Sequence, residues 1–394
     1  MNRMPKLRFK EFNIKWEEKK LGDITKFSKG KLISKEDITE TGIECIRYGE
    51  LYTTYGEVIT KIVSKTNLNV KDLVLSEEND IIIPSSGETA IDIAKASCVT
   101  KSGVALSGDL NILKLNENGI FLSYYLNNKL KYQIASLAQG ASVVHLYENH
   151  LKKLKVLFPS LKEQQKIADF LSSIDKKISI TEEKLDLFKE YKKGIMQKIF
   201  NQELKFKDNN GNDYPEWEEK ILGEVSSFIN GKGHEQFIDE NGNYIVVNSK
   251  FISSDGLVKK YTSNLLVPLY VNDILMVMSD VPNGKAIGKC FLVNENNKYS
   301  LNQRICALRT VENSKYLYYF LNRNSYFLKF DDGISQTNLK KDEVLSCPIF
   351  LPCLEEQQKI ADFLSSIDNK IDNLATELED LKEFKKGLLQ QMFV

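Results

Sequence analysis

The chain has 394 residues, room for two or three domains at about 150 residues each. Hydrophobic residues make up 42% and charged residues 27%, which excludes wholesale disorder. Lys+Arg and Asp+Glu both number 54, so no global charge announces a nucleic-acid partner and local patches have to decide.

The start is locally basic: Met1 to Lys31 holds ten bases and four acids, which suits a phosphate backbone. It has no signal-peptide core, and no apolar run in the chain approaches the ~18 residues of a membrane span. A cytoplasmic protein without a membrane role is expected. Further on, Asp80-Ile81-Ile82-Ile83-Pro84 reads as a buried strand bounded by turn residues. The polar loop Ser85-Ser86-Gly87-Glu88-Thr89 follows it. Phe121 to Ala138 predicts one helix with Tyr124, Tyr125 and Tyr132 in the core. After Pro159, Ser160-Leu161-Lys162-Glu163 fits a capping box. Apolar residues then fall at Ile167, Leu171, Ile174, Ile178, Leu185, Phe188 and Ile195. Steps of four and three are the spacing of a coiled coil, and the pattern predicts a helix of roughly 35 residues, ~50 Å long. Asn201 to Pro215 is a turn-rich linker.

The second half repeats the first. Glu163 to Asp175 recurs without change from Glu356 to Asp368, an offset of 356 − 163 = 193. Lys192-Lys193-Gly194 recurs as Lys385-Lys386-Gly387, and Trp16-Glu17-Glu18-Lys19-x-Leu21-Gly22 as Trp217-Glu218-Glu219-Lys220-x-Leu222-Gly223. Asp273 to Met278 is a second buried strand, and Tyr316 to Lys329 a second aromatic-rich helix. The second tail has its own heptads, from Ile360 through Leu364, Ile367, Ile371, Leu374, Leu378, Leu381 and Phe384 to Leu388, with Cys353 at the cap position. Two long matched seams predict that the tails pair with each other. Lys176 to Lys198 carries seven bases and four acids, and Asp368 to Lys386 four bases and six acids, which favours that pairing. The tails are nearly copied, whereas the mixed α/β bodies between Gly30 and Asn128 and between Gly231 and Asn322 are only loosely alike.

Catalytic motifs are missing. There is no G-x-x-x-x-G-K-[ST] loop, no G-x-G-x-x-G after a strand, no Asn-Pro-Pro-Tyr run and no Pro-Asp step. Six cysteines form no C-x-x-C pair and read as buried free thiols. His145 and His150 are five apart, so they do not stack on one helical face as metal ligands. The chain reads as a binding protein without an active site.

The two Trp-x-x-x-x-Leu-Gly openings, the Ser-Ser-Gly-Glu-Thr loop and the Pro-x-Leu-x-Glu-Gln-Gln-Lys-Ile-Ala-x-Phe-Leu tails at Pro159 and Pro352 resemble type I restriction–modification specificity subunits. The resemblance covers essentially the whole chain, in the family's order of body, helix, body, helix. It implies an α+β fold: two mixed α/β target-recognition domains, each followed by a long helix, the helices pairing as an antiparallel coiled coil. The boundaries expected are 1–158 and 201–351 for the bodies, the latter with its linker, and 159–200 and 352–394 for the helices. The resemblance also implies double-stranded DNA as ligand, each body reading one half of a bipartite site. Two modification subunits would bring S-adenosylmethionine, and two restriction subunits ATP and magnesium. This chain would hold no cofactor and no metal. Competing readings are a structural adaptor that binds only proteins and a fused methyltransferase or endonuclease.

Candidate DNA contacts follow from residue type and repeat position. They are Arg47, Tyr48, Ser85, Ser86 and Thr89 in the first body, and Asn248, Lys250, Gln303 and Arg304 in the second. Arg47-Tyr48 and Asn248 fall at matching places, after Gly42 and Gly242 and before Gly56 and Gly256. The second body has Ser279-Asp280-Val281-Pro282-Asn283-Gly284 where the first has its Ser-Ser-Gly-Glu-Thr loop.

Overall fold

A strand that opens each body pairs with the strand that closes it. Glu17–Lys20 lies antiparallel to Lys155–Phe158, and Glu218–Ile221 lies antiparallel to Pro348–Leu351. Entrance and exit are thereby stapled, and a proline ends each closing segment before a long helix begins. The computed structural model describes residues 4–31, 33–281 and 284–394. Asn283 of the second body's polar loop and Arg3 of the basic start lie outside them.

The chain forms two compact units, residues 1–183 with 375–394 and residues 184–374. In the first, a five-stranded sheet runs in the order Thr25–Lys29, Leu110–Leu115, Asp80–Pro84, Ser97–Val99, Val58–Ile59. A four-stranded sheet runs Ala105–Leu106, Ile43–Ile46, Ser64–Thr66, Ile38–Thr39. The second unit repeats the plan with four strands, Ser226–Asn230, Ile305–Thr310, Ile274–Val277 and Cys290–Leu292. Three more are Tyr261–Thr262, Tyr244–Val247 and Tyr299–Leu301. Asp80–Pro84 and Ile274–Val277 are buried along their whole length, as continuous apolar runs require.

The aromatic-rich stretches are each two helices rather than one. Gly119–Asn128 is followed by Lys131–Ser136, and Ser314–Leu321 by Ser325–Leu328, with Arg323 at φ +61° in the second break. Tyr124 and Tyr125 are core, but Tyr132 is 78% exposed, because the second helix turns Ile134 rather than Tyr132 into the core.

The long helices span Leu161–Phe200 (40 residues) and Leu354–Met392 (39 residues), or ~60 Å at 1.5 Å per residue. They outrun the predicted 35 because their last turns are core. Ile167, Leu171 and Ile174 at the start of the first helix share one core with Leu388, Leu389, Met392 and Phe393 at the end of the second. In the other unit Ile360, Leu364 and Ile367 share a core with Ile199, Ile195 and Phe200. First turns meet last turns in both units, so the helices run antiparallel.

Glu163 does not close a capping box. Its carboxylate takes Arg8 Nε at 2.6 Å, Arg8 Nη2 at 2.7 Å and Trp16 Nε1 at 3.4 Å. The copy, Glu356, takes only Trp217 Nε1 among these, at 3.1 Å, and burial pushes its carboxyl up. Part of the basic start is therefore spent inside the protein: Arg8 on Glu163 and Lys19 on Glu117. All six cysteines are free, and five are buried.

Candidate nucleic-acid interface

A short parallel pair organises each body. Ile43–Ile46 pairs with Ala105–Leu106, and Tyr244–Val247 with Tyr299–Leu301. Loops at the carboxyl ends of parallel strands point the same way, which is where such sheets place ligands. Four segments meet there. In the first body Ser107 N donates to Ile46 O at 3.0 Å, Lys31 N to Leu106 O at 3.1 Å and Ser85 N to Asp109 O at 2.8 Å. In the second, Asn302 N donates to Val247 O at 3.1 Å, Lys232 N to Leu301 O at 2.9 Å and Met278 N to Arg304 O at 3.0 Å. The scaffold is copied bond for bond. Its closeness explains Gly30 and Gly231, where a Cβ would collide with the carbonyls of Ser107 and Asn302.

The first-body candidates divide. Arg47 and Tyr48 line a cleft of about 490 Å³ together with Lys35, Ser107, Gly108 and Asp109. Arg47 is ion-paired at 3.2 Å with Glu50, a buried carboxylate that Ser64 Oγ also reaches at 2.5 Å. Its charge is therefore partly spent. The Tyr48 ring meets Tyr52 edge-on at 6.2 Å, and Tyr52 OH donates to Ser86 O at 2.7 Å. Burial pushes the Tyr52 phenol up and keeps it a donor. Ser86 is thus tied to Tyr48, while Ser85 is buried behind Asp109. Thr89 caps the helix Ala90–Ile93, accepting from Asp92 N at 3.2 Å.

In the second body Asn248 caps the helix Ser249–Ser253 by accepting from Phe251 N at 2.9 Å, and Lys250 is exposed on that helix. Gln303 Nε2 donates to Glu235 Oε1 at 2.7 Å, which holds the Glu235 carboxyl below its usual range. Arg304 is exposed. The departure from Ser-Ser-Gly-Glu-Thr leaves the scaffold intact. Ser279–Asp280 pairs antiparallel with Thr337–Asn338, as Ser86–Gly87 pairs with Val144–His145.

Sequence reasoning missed Ser107-Gly108-Asp109, the first body's counterpart of Asn302-Gln303-Arg304. The signal was available: each triplet stands directly before the long strand of its body, Leu110–Leu115 or Ile305–Thr310. Among the described residues no group of three or more His, Cys, Asp or Glu side chains gathers as a metal site, and no helix is long and apolar enough to cross a membrane.

Two similar mixed α/β bodies, each leading into one long helix of an antiparallel pair, define a class, and comparison with known proteins identifies it. The type I restriction modification DNA specificity domain matches twice, over residues 13–189 and 214–383. The chain belongs to this family and is the DNA specificity subunit of a type I restriction–modification system, a non-catalytic subunit. It is 27% identical over 403 residues to the type I restriction enzyme MjaVIII specificity subunit of Methanocaldococcus jannaschii, covering 95% of this chain and 91% of that one. The fold is similar to the crystal structure of a type I system S subunit from M. genitalium, with TM-score 0.66, 19% identity and 99% of both chains covered. It is also similar to a chain solved in work on complex assembly and conformational transition of the type I system. There the TM-score is 0.54 at 17% identity, covering 96% of this chain and 97% of that one.

Proposed function

We propose that each body reads one half of a bipartite double-stranded DNA site and that the helix pair sets the unspecified gap. Residues 1–158 and 201–351 serve as the reading domains, and 159–200 and 352–394 as the spacer. The spacer also seats two modification subunits, which carry S-adenosylmethionine; two restriction subunits add ATP and magnesium. Arg47, Tyr48, Ser85, Ser86 and Thr89 are the candidate contacts of the first body, and Asn248, Lys250, Gln303 and Arg304 those of the second.

One observation supports this reading above the others. The loops hang on the same backbone bonds in both bodies, yet their side chains differ. Two readers of different half-sites need that combination, and two identical enzymes need copied tails. The test is to replace residues 1–157 with the body of a relative and map the methylated motif in cells that also make the modification subunit. One half-site should change and the other persist. A change in both halves, or in neither, rejects the two-reader model.

A further inference from the structure

Asp109 and Arg304 occupy the same place in the two bodies. Each is the last residue before the long strand, and each offers its backbone carbonyl to the same neighbouring segment, through Ser85 N or Met278 N. Among the described residues neither the Asp109 carboxylate nor the Arg304 guanidinium has a hydrogen bond or ion pair. This contrasts with their neighbours Arg47 and Gln303, which Glu50 and Glu235 hold. One scaffold thus presents opposite charges at one position, neither of them held in an ion pair or hydrogen bond.

A carboxylate on a DNA-facing surface is repelled by phosphates, so Asp109 is out of place as a backbone contact. Against base edges its chemistry is selective. A carboxylate only accepts hydrogen bonds, and in the major groove cytosine offers an amino donor with no acceptor of its own beside it. Adenine sets the N7 acceptor next to its amino group, and the guanine edge carries only acceptors. A guanidinium only donates, and its fork matches guanine O6 and N7. We infer that Asp109 and Arg304 are specificity-determining residues at equivalent positions of the two half-sites, Asp109 selecting cytosine and Arg304 selecting guanine. The inference rests on the reading that these loops face base edges.

The full chain assembled with its modification subunit tests it. Arg304→Ala should relax one guanine of one half-site, with discrimination there falling roughly 5- to 150-fold and the other half-site unchanged. Arg304→Lys keeps the charge but not the fork, and should weaken that discrimination while retaining the salt dependence of binding. Asp109→Ala should relax one cytosine of the other half-site by a similar factor. Methylome sequencing reads the motif, and competition between duplexes differing at that single base reads discrimination even where methylation is lost. Unchanged discrimination with a uniform shift in affinity would overturn the inference, as would relaxation at any other base. Exchange of whole bodies separates the two levels. If exchange moves a half-site and the point variants do not, the two-reader model stands and this inference falls.

Discussion

The ammonium group of Lys385, near the end of the second long helix, lies 2.7 Å from Asp175 Oδ1 on the first. It also reaches Glu57 at 3.1 Å and stands 5.4 Å from the centre of the Tyr124 ring. The second unit repeats this clamp: Lys192 lies 2.5 Å from Asp368 and 5.2 Å from the centre of the Tyr319 ring. In each unit the lysine comes from the helix of the other repeat. Burial opposes the charge on Lys385, but Glu57 and Asp175 outweigh it and raise the amine's pKa.

Lys385→Met should therefore leave two partly buried carboxylates without their cation. A loss of roughly 1–3 kcal/mol is expected in the first unit. Lys192→Met should act in the same way on the second. Hydrogen exchange resolves the two units within one sample. Equal loosening of both units by either single change would rule out separate clamps.

His234 makes the second unit sensitive to acid. It is 1% exposed, with Nδ1 2.7 Å from Lys232 O and Nε2 2.8 Å from Ser300 Oγ. Burial lowers its pKa from the ordinary 6.5, so the folded ring is neutral, donating to the carbonyl and accepting from the hydroxyl. The unfolded ring binds a proton at higher pH than the folded one. The contribution of His234 is therefore complete above pH 6.5 and is lost as pH falls through the lower folded value. His234→Asn should flatten the fall in melting temperature below pH 6.5 and cost about 1–3 kcal/mol at neutral pH. An unaltered slope would assign the acid sensitivity to carboxylates instead.

The glycines that let the loops at the parallel strand ends close are a third test. Gly30→Ala and Gly231→Ala place a methyl group against the carbonyls of Ser107 and Asn302, and backbone cannot swing aside as a flexible side chain can. Each change should cost roughly 1–3 kcal/mol. Amide exchange at Lys31 or Lys232 should quicken, since those bonds to Leu106 and Leu301 hold the segment. Protection equal to that of the wild type would mean that the loops tolerate a wider approach.

Periodic burial is what made much of this fold legible from sequence. The buried strands at Asp80 and Ile274 and the two heptad helices state their structure in residue spacing alone. The repeat then states it twice. The meeting of Gly30, Arg47 and Asp109 at one edge has no such signature, because a parallel pair joins segments far apart in sequence. Local patterns also misled where a distant partner competed. Ser160 and Glu163 have cap spacing, but Arg8 takes the carboxylate. Thr89 looked like a free polar loop residue, while Thr89-x-x-Asp92 was itself the local pattern of a helix start.

The helices supply the last prediction. The two units divide at Glu183/Lys184 on one helix and Leu374/Ala375 on the other. One heptad inserted after Glu183 and another after Leu374 keeps both seams in phase, because seven residues preserve the apolar face. Each rod lengthens by ~10 Å, about three base pairs of duplex. Three base pairs also rotate one half-site by roughly 100° about the DNA axis, since a turn takes ~10.5 base pairs, so reduced methylation is expected. The sites still methylated should carry the same two half-sites across a gap longer by about three base pairs. Insertion on one helix alone should unmatch the seam and lower stability without giving a new defined gap. The methylated motif, mapped genome-wide, is the readout. An active double insertion with the original gap would show that something other than these helices sets the spacing.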